Sequence, residues 1–270
     1  MTTPAPRGLR TFGLLWTVQV ASLLGSEVTR FGLGLWLLAR SGAVADFASV
    51  LLCETVPYVL LSPLGGALTD RYDRRLVLAL SDLASTLALV PIAVAASLGV
   101  AEPWLVYAGV AFSAATSAAQ SPAFVASVAQ VVPPSQIARA TGLTTVGRAL
   151  AHVAAPAIAA PLATLGPGAV ISVEVATTVL ALATLPFLRL PRGAPEGKAP
   201  GLWAGIAEGF AFLRARLDLR ALVTALAILN LAIAFAEALL PPMLLRRAAS
   251  QVALGVAASV VAAGGVCGAG

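Results

Sequence analysis

Apolar runs of about eighteen residues or more recur along this 270-residue chain, and no other feature restricts its fold so tightly. A run of that length crosses a bilayer core of roughly 30 Å as a helix. In hydrocarbon every backbone N–H and C=O must be paired, which leaves helices or closed barrels. These runs do not alternate polar with apolar residues, so barrel strands are excluded. Composition agrees: 59% of residues are hydrophobic and only 11% charged, against about 25% charged in a soluble domain. The sequence predicts an all-α polytopic protein embedded in the lipid bilayer.

Eight spans are predicted, at 12–39, 47–68, 76–98, 104–121, 140–163, 168–188, 221–245 and 251–270. Short Gly- or Pro-bearing turns such as "RSGAVAD", "GVAEP" and "LGPG" suit tight connections between antiparallel neighbours. Basic residues set the orientation. With the N-terminus inside, twelve Arg and Lys fall in inner segments, among them Arg71, Arg74, Arg75 and Arg139. Only Arg40, Arg246 and Arg247 fall outside. The expectation is a multi-pass cell-membrane protein with a cytoplasmic N-terminus.

The longest connection opens with the linker "RLPRGAPEGKAPG". In the stretch that follows, Trp203, Ile206, Phe210, Leu213 and Leu217 recur at three- and four-residue steps, which predicts an amphipathic helix at the cytoplasmic interface. Three parts result: 1–190 with six helices, a linker with its amphipathic helix over 191–220, and two further spans over 221–270. The chain ends inside an apolar run, "VVAAGGVCGAG", which reads as an incomplete C-terminus. The apolar stretch after Arg7 and Arg10 holds Gln19, Glu27 and Arg30 and no cleavage site, so it reads as a retained span.

Several classes drop out. The net charge of +5 comes from residues between spans, so nucleic acid is not an expected partner. Cys53 and Cys267 have no metal-type spacing, and neither metal nor cofactor is expected. There is no GxxxxGK[ST], HExxH or GxSxG, so neither direct use of ATP nor a familiar hydrolase centre is indicated. The protein does not read as an enzyme.

Between the second and third spans lies "GALTDRYDRR". It resembles the signature loop of the major facilitator superfamily, G-x-L-a-D-R-x-G-R-R, which occupies that same position. Gly66, Leu68, Asp70, Arg71, Arg74 and Arg75 match, and Asp73 stands where the general pattern has Gly. With Asp there, the loop resembles a branch of drug and siderophore exporters that includes macrolide-efflux and enterobactin-exporter-type proteins. "VQVASLLGSEVTRFGLGLWLLARSG", "ETVPYVLLSPLGGAL" and "WAGIAEGFAFLRARLDLRAL" are similar to other parts of that branch. The resemblance implies a major-facilitator-type bundle of twelve spans in two six-helix halves, of which about eight are present. It also implies that Gly66, Asp70, Arg71, Arg74 and Arg75 form a cytoplasmic latch closing on the second half. One departure is in span five, where "HVAAPAIAAPLA" keeps Pro156 but has alanines in place of the glycines of the antiporter motif.

A charge at mid-bilayer costs about 2.5–3.5 kcal/mol on insertion scales, so each needs a reason. Glu27 and Arg30 share a helix face, either as a self-neutralising pair or as an acid facing a cavity. Arg148 and His152 share a face of span five. Glu54, three residues before Pro57, Glu174 above Thr177 and Thr178, and Glu237 before Pro241 complete the proton or substrate candidates. Asp82, with Ser81, Ser85 and Thr86, sits nearer the cytoplasmic side and suits packing or the latch.

The function these readings imply is secondary active export of a drug-like or siderophore-like small molecule by proton antiport. Substrate would bind near the midplane between the halves with alternating access, coupled to a membrane carboxylate that gains and loses a proton. An importer of the same fold stays open, since fold does not fix direction. A non-transport membrane protein is the third alternative.

Overall fold

The computed structural model describes residues 7–187, 207, 211–245, 255–256 and 258–260. All of its regular structure is helical among these residues. The helices are α1 (Arg7–Ser41), α2 (Val44–Arg71), α3 (Arg74–Ser97), α4 (Pro103–Ser117), α5 (Gln120–Val131), α6 (Ile137–Leu165), α7 (Pro167–Thr184) and α8 (Leu217–Leu245). Four stretches, Val44–Arg71, Arg74–Ser97, Pro134–Leu165 and Pro167–Phe187, are long and apolar enough to cross a membrane by length and composition alone. Leucines such as Leu60, Leu80 and Leu150 are 70%, 61% and 58% exposed on the outside of the bundle. An apolar exterior of this kind suits hydrocarbon rather than water.

The short turns do what their residues allow. At the end of α3, Gly99 takes φ +72° and the Val100 N–H returns to the Ala95 carbonyl, a glycine-terminated helix end. Gly166, at φ +107°, alone joins α6 to α7.

Packing is not sequential. α1 lies along α6 and α7, α2 and α3 both pack on α4, and α3 packs on α7. One apolar cluster, with Leu33, Leu37, Val50, Ile92, Val106 and Val170, fills the end near the α1–α2 turn. A second, with Phe12, Leu15, Val77, Leu78 and Phe124, fills the end near the α2–α3 loop. Between α1 and α6 the seam is small: Val28 packs on Ala155 and Ala159, which are 1% and 0% exposed. The span-five alanines are thus helix contacts, and small side chains let the two backbones approach. A Cβ on Gly255 would meet the Pro156 carbonyl oxygen at 2.5 Å, and Ser259 Oγ accepts from the Ala157 N–H at 3.1 Å. Gly255 and Ser259 therefore lie against α6.

The fourth span is longer than its apolar run suggests. The sequence places its end at 121, but the helix resumes at Gln120 and runs to Val131, with a break at Ala118–Ala119. Pro122 causes part of this, since it has no N–H to return to the Ala118 carbonyl. Into the break fits Gly65 of α2, where a Cβ would stand 2.5 Å from the Ala118 oxygen. α8 begins at Leu217 rather than 221, after a helical stretch at 211–215. Residues 202–206 and 208–210 of the predicted amphipathic helix, and most of the 251–270 span, lie outside the described residues.

Candidate functional site

A cavity of about 290 Å³ opens among α1, α2, α4, α5 and α6, with α7 behind it. Its charged wall is built from three helices. Arg30 of α1 contacts the Glu27 carboxylate one turn below, and its Nε lies 3.1 Å from Glu54 Oε2 of α2. His152 of α6 places Nδ1 3.6 Å from the same Glu27 oxygen that Arg30 contacts. One guanidinium thus bridges two carboxylates, and an imidazole stands against the first. The three side chains of the bridge are 19–29% exposed, so each still reaches the cavity.

Local sequence explains the placement. Spacing of three puts Glu27 and Arg30 on one face of α1. Pro57 leaves the Cys53 carbonyl without its helical donor just beside Glu54, yet α2 runs unbroken through Pro57 and Pro63. Arg148, one turn before His152 on α6, lines the cavity and makes no ion pair among the described residues. Glu174 reaches the wall from α7, only 4% exposed, accepting from Ser26 Oγ at 3.1 Å. Glu237 belongs to α8, and its side chain lies outside the described residues.

Asp82 sits apart from this wall. It is 7% exposed and accepts from Ser22 Oγ at 2.8 Å and from the Gln120 amide. Sequence reasoning missed Ser22, Ser26 and Gln120. The first two were visible as a polar stripe leading to Arg30 in "SLLGSEVTR", at positions 22, 26 and 30. Gln120 carried no signal, because the helix break that orients it is a tertiary feature. Also missed was a tie at the far end, where the Tyr107 hydroxyl donates to Asp46 Oδ1 at 2.7 Å and joins α4 to α2.

The loop between α2 and α3 has a different character. Asp70 is exposed and has no ion pair among the described residues. A Cβ on Gly66 would meet nothing within 4 Å. Arg74 donates to the Ala126 carbonyl of α5 at 3.0 Å. Asp73, the departure from the general pattern, is the N-cap of α3 and accepts from the Arg75 N–H at 2.9 Å. Arg71 is partly buried at the end of α2.

The described residues thus form an apolar helical bundle around a cavity lined by acids and arginines. The profile of the transmembrane secretion effector family, within the major facilitator superfamily, matches residues 1–270, and the chain belongs to that family. Macrolide efflux protein A of Streptococcus pyogenes is 25% identical over 215 residues, covering 78% of this chain and 53% of that protein. Macrolide efflux protein A of Enterococcus faecalis is 26% identical over 178 residues, covering 65% and 55%. The chain therefore spans about half the length of these relatives. In fold it is similar to a bacterial homolog of the human lysosomal transporter Spinster, solved inward-facing and unoccupied, with TM-score 0.70 and 19% identity over 97% of this chain and 60% of that one. A POT family transporter in complex with 5-aminolevulinic acid is similar at TM-score 0.58 and 14% identity, over 87% and 52%.

Proposed function

We propose that the protein exports a drug-like or siderophore-like small molecule across the cell membrane in exchange for protons, by alternating access. The observation that carries this reading is the Glu27–Arg30–Glu54 bridge on the cavity wall. One guanidinium offsets one carboxylate. The second carboxylate, in a site of low dielectric, is offset by a proton, by a cationic group of the substrate or by Arg148 on the same cavity wall, and exchange among these is what antiport needs. Glu54 is the carrier in this reading, because it sits across the helix interface from Arg30 and a shift of α2 against α1 would change its pairing. His152 beside Glu27 and Arg148 beyond it offer further proton or anion contacts.

In the same reading 1–190 is the first of two halves, 191–220 is a cytoplasmic linker, and 221–270 begins the second half. The substrate site lies between the halves, near the midplane. The α2–α3 loop is cytoplasmic, and Gly66, Asp70 and Arg71 close against the second half. An exposed acid such as Asp70 finds its counterpart in a basic residue or a helix N-terminus there. The macrolide efflux relatives supply the first substrate class to try.

The test is drug accumulation in an efflux-deficient host expressing the full-length protein. Expected is lower macrolide accumulation than in the vector control, restored by a protonophore and by Glu54→Gln. Export that ignores the protonophore contradicts antiport. Accumulation above the control points to import instead.

A further inference from the structure

Two polar stripes that lie on separate helices in the sequence meet inside the bundle. Asp82 and Thr86 are one turn apart on α3, and Glu174 and Thr178 are one turn apart on α7. The Thr86 and Thr178 hydroxyls hydrogen-bond at 2.6 Å. α1 forms the third wall: Ser22 Oγ donates to Asp82 at 2.8 Å and Ser26 Oγ to Glu174 at 3.1 Å. Ser22 and Ser26 are four residues apart, about 6 Å along the helix. The order along the bundle is therefore Asp82, then the threonine pair, then Glu174. The two acids, both threonines and Ser22 are no more than 7% exposed. Both ends reach the cavity, Glu174 directly and Asp82 through Gln120, whose amide also lies 3.4 Å from Ser22 Oγ.

Neither acid has a cation against it among the described residues. The charged and titratable groups lining the cavity with Glu174 are Glu27 and Arg30 on α1, Glu54 and Tyr58 on α2 and Arg148 on α6, with His152 of α6 against Glu27; α4 carries only Tyr107, bound to Asp46, and α5 carries none. Arg30 is engaged by Glu27 and Glu54. A bare carboxylate buried without a counter-charge costs several kcal/mol, and a neutral acid avoids that cost. Packing alone does not call for acids here. Asn at 82 and Gln at 174 would accept the same serine hydrogen bonds with no charge to neutralise. What an acid adds is the capacity to gain and lose a proton.

We propose that the two acids are a proton store inside the bundle. Glu174 takes up and releases its proton at the cavity, and Asp82, reached through Gln120, is the second site. The Thr86–Thr178 hydrogen bond ties α3 to α7 between them. Each acid exchanges one proton with solvent in the cavity, so no co-reactant is consumed. The store rests on the antiport reading for its use, not for its existence.

The experiment is infrared difference spectroscopy of the full-length protein in lipid nanodiscs, without substrate, across a rapid rise in pH. Expected is loss of the carbonyl stretch of protonated carboxyl groups. Glu174→Gln should delete one component and Asp82→Asn another, with unfolding temperatures near wild type. An unchanged carboxyl band in either Glu174→Gln or Asp82→Asn overturns the proposal. Bands that behave as expected in a protein that exports nothing support the store and contradict the export reading alone.

Discussion

The cavity wall and the α2–α3 loop both concentrate charge, yet they treat it differently. On the wall, Glu27, Arg30, Glu54 and His152 are drawn together from three helices, and each meets another within the bundle. In the loop, Asp73 and Arg74 are used locally, as a helix cap and a carbonyl donor, while Asp70 stands exposed with no ion pair among the described residues. In hydrocarbon an unmatched charge is costly and the fold supplies the match itself. At the membrane surface water screens the charge, so a residue there can wait for a partner that comes and goes. The contrast separates a wall that matches its charges within the bundle from a loop that leaves the Asp70 charge open to solvent.

Breaking the wall should have the largest effect. Arg30→Ala leaves two carboxylates facing each other; removing one partner costs about 3–5 kcal/mol in a fully buried ionic group and less in this partly exposed one. The expected result is loss of export and a lower unfolding temperature in detergent, partly recovered by Arg30→Lys. Retention of both would show that Glu27 and Glu54 do not depend on the bridge. Next comes the neighbouring pair of glycines. Gly65→Leu forces α2 away from Ala118 and should destabilise by about 1–3 kcal/mol, the scale of overpacking. Gly66→Ala points into open space and should leave thermal stability unchanged. If Gly66→Ala nonetheless lowers export, the loop acts through a surface beyond α1–α7.

Asp70→Asn sharpens the comparison further. It should lower export about tenfold, equivalent to roughly 1.4 kcal/mol of coupling, without moving the unfolding temperature. A stability loss of that size instead would make Asp70 a structural residue. The smallest effect belongs to Asp73→Ala, which removes a helix N-cap worth about 1 kcal/mol. It should appear as a modest drop in unfolding temperature with export retained, and Asp73→Ser should restore it.

Much of the fold was legible because a membrane helix must be apolar throughout, so hydropathy alone locates most of the helices. The sequence placed the end of the fourth at 121, and the helix that resumes at Gln120 carries it to Val131. Within a bundle a missing backbone hydrogen bond need not end a helix, and α2 and α6 run on through Pro57, Pro63, Pro156 and Pro161. In the site, the Glu27–Arg30 pair was readable from spacing along one helix. Glu54 joining it was not, because that contact depends on how α2 docks on α1. The same holds for the alignment of Asp82 with Ser22 and of Thr86 with Thr178. Each stripe is visible by itself, but only tertiary packing brings the stripes together. Asp73 was read as a departure from a pattern, and its capping role required the start of α3 to be fixed at Arg74.

The central claim, that the acid-lined cavity couples outward substrate movement to inward proton movement, is tested most directly in proteoliposomes of the full-length protein with a pH-sensitive dye sealed inside. Adding a macrolide that the protein exports should change the internal pH in wild type, and Glu54→Gln should abolish that change while still exchanging labelled for unlabelled drug. A drug-induced pH change of wild-type size in Glu54→Gln, or drug transport by wild type with no proton movement, would contradict the account.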